Sequence, residues 1–535
     1  MHNCPGWSSS GGPWITPDLA MQQVTWSEAY ITGGKQININ LPQPFTKLDY
    51  YRDVCVVAFP SLPGEASLES LLSKATTGNG NVDIKGLTGE DPKGVTIHPA
   101  EGSQSGYLQL EFIKPFEARS IAFIGSAVTP STPAVGQGGF GGTPITLETS
   151  DDGVTFNTVT TISVGGGFGG TVGPSFITAE FPATKAKYFR LASSQPRQYA
   201  QVRFSGSDNI SDWKAKANFT GGFWQTAPVK ETIEEVSNDS EINPDSVLDI
   251  SQYMNNDGKL DWNAPAGNWT ILRIGHTPLG TLNRSAPDTG IGLECDKFNA
   301  AAIDFHFNKM MQNLLPALGS LAAKGKVGLL IDSWEVGMQN WTQQFLPEFQ
   351  KRKGYDLKKY LPAMTGRVVG STDVSDRFLW DVRRTQADLL ADNYYGRFAD
   401  LCRKQKIIAY TEPYDRGPME EMQIGSRVDV NMGEFWNGLS SIFQNNYTMR
   451  RTTKLASSIV HINGQKTVGA EAFTSEPESA KWQEYPFAMK PLGDKMYTQG
   501  LNRVIFHRYA HQPHPTALPG MTMGPWGIHF ERTNT

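Results

Sequence analysis

The sequence predicts an α/β protein: a (β/α)8-type barrel, incomplete at its N-terminal end, interrupted by a β-rich insertion that contains a β-sandwich. Three observations lead there. Apolar residues alternate with period two through roughly 21–285, strand and helix patterns alternate after about 285, and carboxylates stand where the later strands stop.

Taken in order, residues 1–20 (MHNCPGWSSSGGPWITPDLA) are rich in Gly, Ser and Pro and read as a barrel segment and loop after a strand, so the chain starts mid-fold. From 21 to 285 alternation recurs at Ile37, Ile39 and Leu41, at Leu108, Leu110 and Phe112, and at Ile145 and Leu147. Residues 45–212 read as the sandwich. Within it Asp152-Gly153 lies between two alternating runs, a hairpin signal, and KYFRLA at 187–192 supplies another strand. The glycine tracts at 136–142 and 165–170 do not open a helix after a strand and read as sandwich loops rather than phosphate-binding loops.

The remainder, 286–535, is the catalytic part of the barrel. Ile303, Phe307, Met310, Leu314 and Leu318 fall at helical spacing, and KVGLLID (326–332) follows as a strand. A helical stretch covers about 376–404, and another about 449–461. Between and after them come strands at IIAYTE (407–412), around Arg427–Asn431, at KTVGAEAF (466–473) and at RVIFHRY (503–509). Strands separated by helices pair in parallel. Counting backwards, either GIGLECD (290–296) or NWTILRIGHT (268–277) is the strand before 326, which leaves the first barrel strand outside the chain.

The net charge of −5 is small for 535 residues and the basic residues are scattered, so no nucleic-acid footprint is present. With 13 Trp and 17 Tyr the chain carries many flat faces suited to sugar rings, although most serve as core. Four cysteines without metal-like spacing make no disulfide framework. No apolar run spans a membrane, and the opening Met1-His2-Asn3-Cys4 lacks the charged and apolar regions of an export signal.

Each of four strands delivers a glutamate at or beyond its C-terminal end: Glu335 in IDSWEVG, Glu412 in AYTEPYD, Glu434 in NMGEFW and Glu471 in VGAEAF. Ionised carboxylates are costly to desolvate, so one shared polar pocket explains the set, the alternative being ion pairs with Arg416, Arg427 or Arg508. Glycoside hydrolysis needs one protonated carboxyl at the glycosidic oxygen and one carboxylate acting on water or the anomeric carbon. Glu335 and Glu471, across the barrel mouth, are the acid and base candidates. His507, Arg508, His511 and His514 follow the last strand and offer contacts to sugar hydroxyls, to a metal or to the core. Pro513 and Pro515 argue against a zinc-binding helix there. Trp7, Trp14, Trp334, Trp436 and Trp526 stand in loop or strand-end motifs and are candidates for sugar stacking.

The motifs HNCPGWSSSGGPWITP, PAGNWTILRIGHTP, GLECDK, DSWEVGMQNWT, YTEPYDRGP, GEFW, VGAEAFTS and NRVIFHRYAHQPHP together resemble glycoside hydrolase family 106, the α-L-rhamnosidases. That resemblance implies a catalytic (β/α)8 barrel, a galactose-binding-like jelly roll for the sandwich, inversion at the anomeric carbon, and calcium at the active site with ligands unassigned. It places Glu335 on the acid motif. It puts Glu471 and Glu434 on motifs tied to activity, with Glu471 preferred as base and Glu434 as an orienting or metal-side carboxylate. Asp332, Trp334, Glu412, Trp436, Trp7 and the His507–His514 cluster become substrate-binding candidates. The partner implied is a rhamnose-containing plant polysaccharide or glycoside, in the periplasm or outside the cell. Measured against that family, the chain reads as a fragment lacking the start of the barrel and C-terminal β domains. The competing reading is a carbohydrate-binding protein whose truncated barrel is inert.

Overall fold

The structure, a computed structural model, describes residues 10–88, 94–99, 105–127, 144–162, 174–220, 236–283, 286, 288–324, 327–414, 417–437, 447–475, 481, 484–507 and 516. The glycine tracts at 136–142 and 165–170, together with Cys4, Trp7, Arg416, Arg508, His511, His514 and Trp526, lie outside these residues.

The first strands build a scaffold. β1 (Gln22–Thr32) and β2 (Lys35–Asn40) are followed by β3 (Arg52–Pro60). Next comes an antiparallel eight-stranded sheet whose principal members are β4 (Gly106–Ala127), β5 (Ile145–Ser150), β6 (Asn157–Ile162), β7 (Ser175–Ser193) and β8 (Arg197–Ser205). Its long strands β4 and β7 change register at bulges, and the sheet encloses a core of its own that includes Leu108, Phe112, Phe123, Phe189 and Phe204. The expected hairpin is present: β5 and β6 pair antiparallel around Asp152, whose carboxylate accepts from the backbone N–H of Val154 and Thr155, and Gly153 takes φ +75°.

β9 (Lys259–Ala264) pairs with β2, and β10 (Asn268–Pro278) runs between β3 and β1 in a four-stranded antiparallel sheet. Two expectations are corrected here. Arg52–Pro60, expected inside the sandwich, belongs to this other sheet, because period-two alternation shows a strand without choosing its partner. NWTILRIGHT is β10, not the strand before 326; it reads as a parallel strand because both its faces are buried. Leu293–Glu294 of GIGLECD pairs antiparallel with Gly11–Gly12 instead.

The remainder of the chain opens with α1 (Ala300–Leu318), capped by Asn299 accepting from Ala301 N–H, and β11 (Gly328–Ile331). After α2 (Phe345–Lys353), a long helix starts at α3 (Thr372–Leu389). It passes through a π-helical turn at 390–396 and ends as α4 (Arg397–Lys404). Then come β12 (Ile408–Thr411), β13 (Val430–Trp436), α5 (Tyr447–Ile462), β14 (Val468–Thr474), α6 (Pro486–Thr498) and β15 (Arg503–Phe506). Strands β11 to β15 form one parallel sheet in sequence order, half of the barrel that was expected; among the described residues β11 pairs with β12 alone. No helix among the described residues is long and apolar enough to cross a membrane.

A buried charge cluster ties the parts together. Arg367 bonds Glu28 of β1 at 2.9 Å and Glu65 at 2.6 Å, while Arg203 of β8 reaches Glu28 at 2.9 Å. Burial would raise the Glu28 pKa, but Arg367 and Arg203 outweigh it and hold the carboxyl well below the usual range. The stability this gives is present above the ordinary carboxylate range and is lost as pH falls. Replacing Arg367 by Ala strands the buried Glu65 carboxylate and leaves the Glu28 charge to Arg203, so urea denaturation should show a loss of about 3–5 kcal/mol. A loss below about 1 kcal/mol would show the cluster to be worth no more than a surface pair.

Candidate active site

Parallel strands end their backbone ladder at one edge, so residues at those ends face a common mouth. β11 delivers Asp332, Ser333, Trp334 and Glu335; β12 delivers Glu412 and Tyr414; β13 carries Glu434 and Trp436, and β14 carries Glu471 and Thr474. Register aligns them, since Ile331 pairs with Thr411 and Glu434 with Glu471 across adjacent strands. Helix α5 lies hard against β13. A Cβ on Gly433 would sit 2.4 Å from the Thr453 nitrogen, and the Thr452 hydroxyl bonds both the N–H and the carbonyl of Glu434. That contact fixes the backbone from which Glu434 projects.

Asp332, Glu412 and Glu434 are buried and Glu471 and Glu335 half-buried. Burial, and after it the charge of Asp332, pushes Glu471 up to about 8. Burial followed by neighbouring carboxylates raises Glu412 and Glu434 well above their ordinary value. Like charges in a water-poor site cannot all ionise, so protons are held among them. The Tyr414 hydroxyl shows where: it lies 2.5 Å from Glu412 Oε2 and 3.1 Å from Glu434 Oε2. One phenolic hydrogen serves one of these contacts; the other requires a proton on a carboxyl. Trp436 Nε1 donates to Glu434 Oε1 at 2.5 Å, and the Thr474 hydroxyl donates to Glu471 Oε1 at 2.5 Å. Ser333 donates to Glu335 Oε1 at 3.2 Å.

Asp332, Glu412 and Glu471 place carboxylate oxygens all within 4.8 Å of one another, and Glu412 Oε1 is buried with no hydrogen-bond partner. Carboxylate oxygens so grouped, one still lacking a donor, fit a hard divalent cation.

The structure thus brings Asp332, Glu335, Glu412, Glu434, Trp436 and Glu471 together. It places Trp334 differently from a sugar platform. Its ring is buried, its Nε1 donates to the Gly337 carbonyl at 2.8 Å, and the ammonium of buried Lys297 lies 5.8 Å from the ring centroid. Lys297 pairs with Glu294 at 2.6 Å. Trp14 likewise is engaged, bonding His306 at 3.2 Å. His507 stands just past β15, its N–H on the Ala472 carbonyl at 3.0 Å. Arg427 pairs with Asp392 rather than with a site glutamate. Sequence reasoning missed Tyr414, Thr474 and Lys297. The Glu412-x-Tyr414 spacing past a strand end was a usable signal for the first; nothing local marks the other two.

A parallel sheet that gathers carboxylates at its C-terminal edge, with protons shared among them and two of them, Glu335 and Glu471, half-exposed, is the equipment of a glycoside hydrolase. The chain belongs to glycoside hydrolase family 106: the family's sequence model, described as alpha-L-rhamnosidase, matches residues 1–535. It is similar to a solved rhamnosidase from Novosphingobium sp. PP1Y, with 31% identity and a TM-score of 0.75 over 99% of this chain and 50% of that one. It is also 32% identical, over 100% of its length, to a protein of Formosa agariphila named "Putative beta-glucuronidase", of which it covers 32%. The chain therefore spans about a third and about half of the lengths of these two relatives.

Proposed function

We propose that the protein removes terminal α-L-rhamnose from plant polysaccharides or rhamnosides outside the cytoplasm, with inversion and with calcium in the site. In the same reading the parallel sheet is part of a (β/α)8 barrel and the eight-stranded sheet is a galactose-binding-like jelly roll. The observation that supports it most is the row of buried, proton-sharing carboxylates with Glu335 half-exposed at its side. Glu335 gives its proton to the glycosidic oxygen as the C–O bond breaks. Glu471 takes a proton from the water that attacks the anomeric carbon on the opposite face. Glu434, held by Trp436, Tyr414 and Thr452, orients the sugar. Asp332, Glu412 and Glu471 would hold the cation, which supplies positive charge that keeps these carboxylates ionised and sites for vicinal sugar hydroxyls.

The name of the Formosa relative favours a second reading, a β-glucuronidase. The described pocket is lined by carboxylates, which oppose an anionic sugar. A panel of p-nitrophenyl glycosides separates the readings: hydrolysis of the α-L-rhamnoside, with β-L-rhamnose as first product by NMR, is expected. Preference for the β-glucuronide, or release of the α anomer, would overturn the proposal or its stereochemistry.

Calcium should also stabilise the protein in a pH-dependent way. With the Glu471 pKa raised to about 8, the folded cation-free protein holds a proton the unfolded chain has lost, so its stability falls as pH rises through that window. The bound ion takes the proton's place. The rise in Tm on adding calcium after chelator treatment is expected to grow from about pH 5 to about pH 8. A pH-independent rise, or none, would remove the cation from this cluster.

A further inference from the structure

We propose that Thr474 is a positioning residue for Glu471, aimed at it by a left-handed bulge at Phe473; the inference rests on Glu471 being the base. In an unbroken strand, side chains alternate between faces. Ala470 and Ala472 of β14 pack with Met489 and Met496 of α6, which leaves Glu471 on the opposite, mouth-facing side. Continued alternation would put Phe473 beside Glu471 and turn Thr474 toward the helix.

The opposite is observed. Ala472 pairs with Phe435 and Thr474 with Trp436, so Phe473 is an extra residue without a partner, and its φ is +62°. Its ring is thereby turned into the helix-side core, 4.9 Å from the Phe435 ring and 5.8 Å from that of Phe506. Thr474 is turned the other way, its hydroxyl 2.5 Å from Glu471 Oε1. A bulky residue at positive φ is strained, and such strain persists where its surroundings over-determine it. Here the aromatic packing holds one side. The other is held by Asn437 N–H on the Thr474 carbonyl at 2.7 Å.

The hydroxyl fixes Glu471 Oε1, and with it the side-chain torsions that set where Oε2 stands.

The test uses the aryl glycoside that the wild type hydrolyses fastest from the panel, whichever sugar it carries. Thr474→Val should lower kcat about tenfold or more with KM within about twofold, a misplacement effect on the chemical step. Thr474→Ser, which keeps the hydroxyl, should stay within about threefold of wild type. An unchanged kcat in the valine variant, or an equal loss in valine and serine variants, overturns the inference. Thr474→Ala carries the same comparison should the valine variant not fold. If the wild type hydrolyses no member of the panel, the proposed function fails. Crystal structures of wild type and Thr474→Val then decide the inference: a displaced or multiply placed Glu471 side chain in the variant supports it, and an identical one overturns it.

Discussion

Glu335→Gln should lower kcat by roughly 10²- to 10⁴-fold on alkyl α-L-rhamnosides and far less on dinitrophenyl α-L-rhamnoside. An alkoxide leaves only if protonated, whereas a dinitrophenolate leaves unaided, so the loss must scale with leaving-group pKa. The half-exposed position of Glu335, beside the buried row and with the Ser333 hydroxyl 3.2 Å from its Oε1, suits a group that must reach an incoming glycosidic oxygen. Steady-state kinetics across a leaving-group series checks it. A loss independent of leaving group would take the acid role from Glu335.

Glu471→Gln should behave in the opposite way. The base acts on water, not on the aglycone, so kcat should fall by roughly 10²- to 10⁴-fold whatever the leaving group. Its stability effect also has a definite sign. Glu471 stands half-buried among acids and holds its proton up to about pH 8, so a neutral amide that still accepts from Thr474 spares the folded state an ionisation at alkaline pH. In the cation-free protein the Tm above about pH 8 should therefore equal or exceed that of wild type while activity is lost. A variant that loses both activity and stability would place Glu471 in the architecture rather than in the chemistry. If Glu434→Gln shows the leaving-group-independent loss instead, the base is Glu434.

Much of the parallel sheet could be read because each βα unit is a local signal. Alternating apolar runs and helical spacing located β11, β12, β14 and β15, with β13 placed three residues early because its polar, glycine-containing NMGEFW does not look like a buried strand. The glutamates were visible because a carboxylate at the end of an apolar strand contradicts its surroundings. The insertion was harder. β3 and β10 read as strands, yet their sheet is a long-range choice between segments more than two hundred residues apart. Trp334 looked like a sugar platform and is a packed ring above Lys297, since exposure depends on what folds over it.

By itself the sequence determined the order of strands and helices, the four glutamates that reach the mouth, and the motifs that put the chain in family 106. Those are properties of residue type and spacing along the chain. The tertiary structure alone decided which carboxylates repel one another, that Tyr414 holds a proton between Glu412 and Glu434, and that a bulge at Phe473 turns Thr474 onto Glu471. Charge coupling and hydrogen bonding fall off over a few ångströms in space: Asp332, Glu412, Glu434 and Glu471 come from strands tens of positions apart, while the short-range contacts of Tyr414 with Glu412 and of Thr474 with Glu471 depend on backbone turns that packing sets.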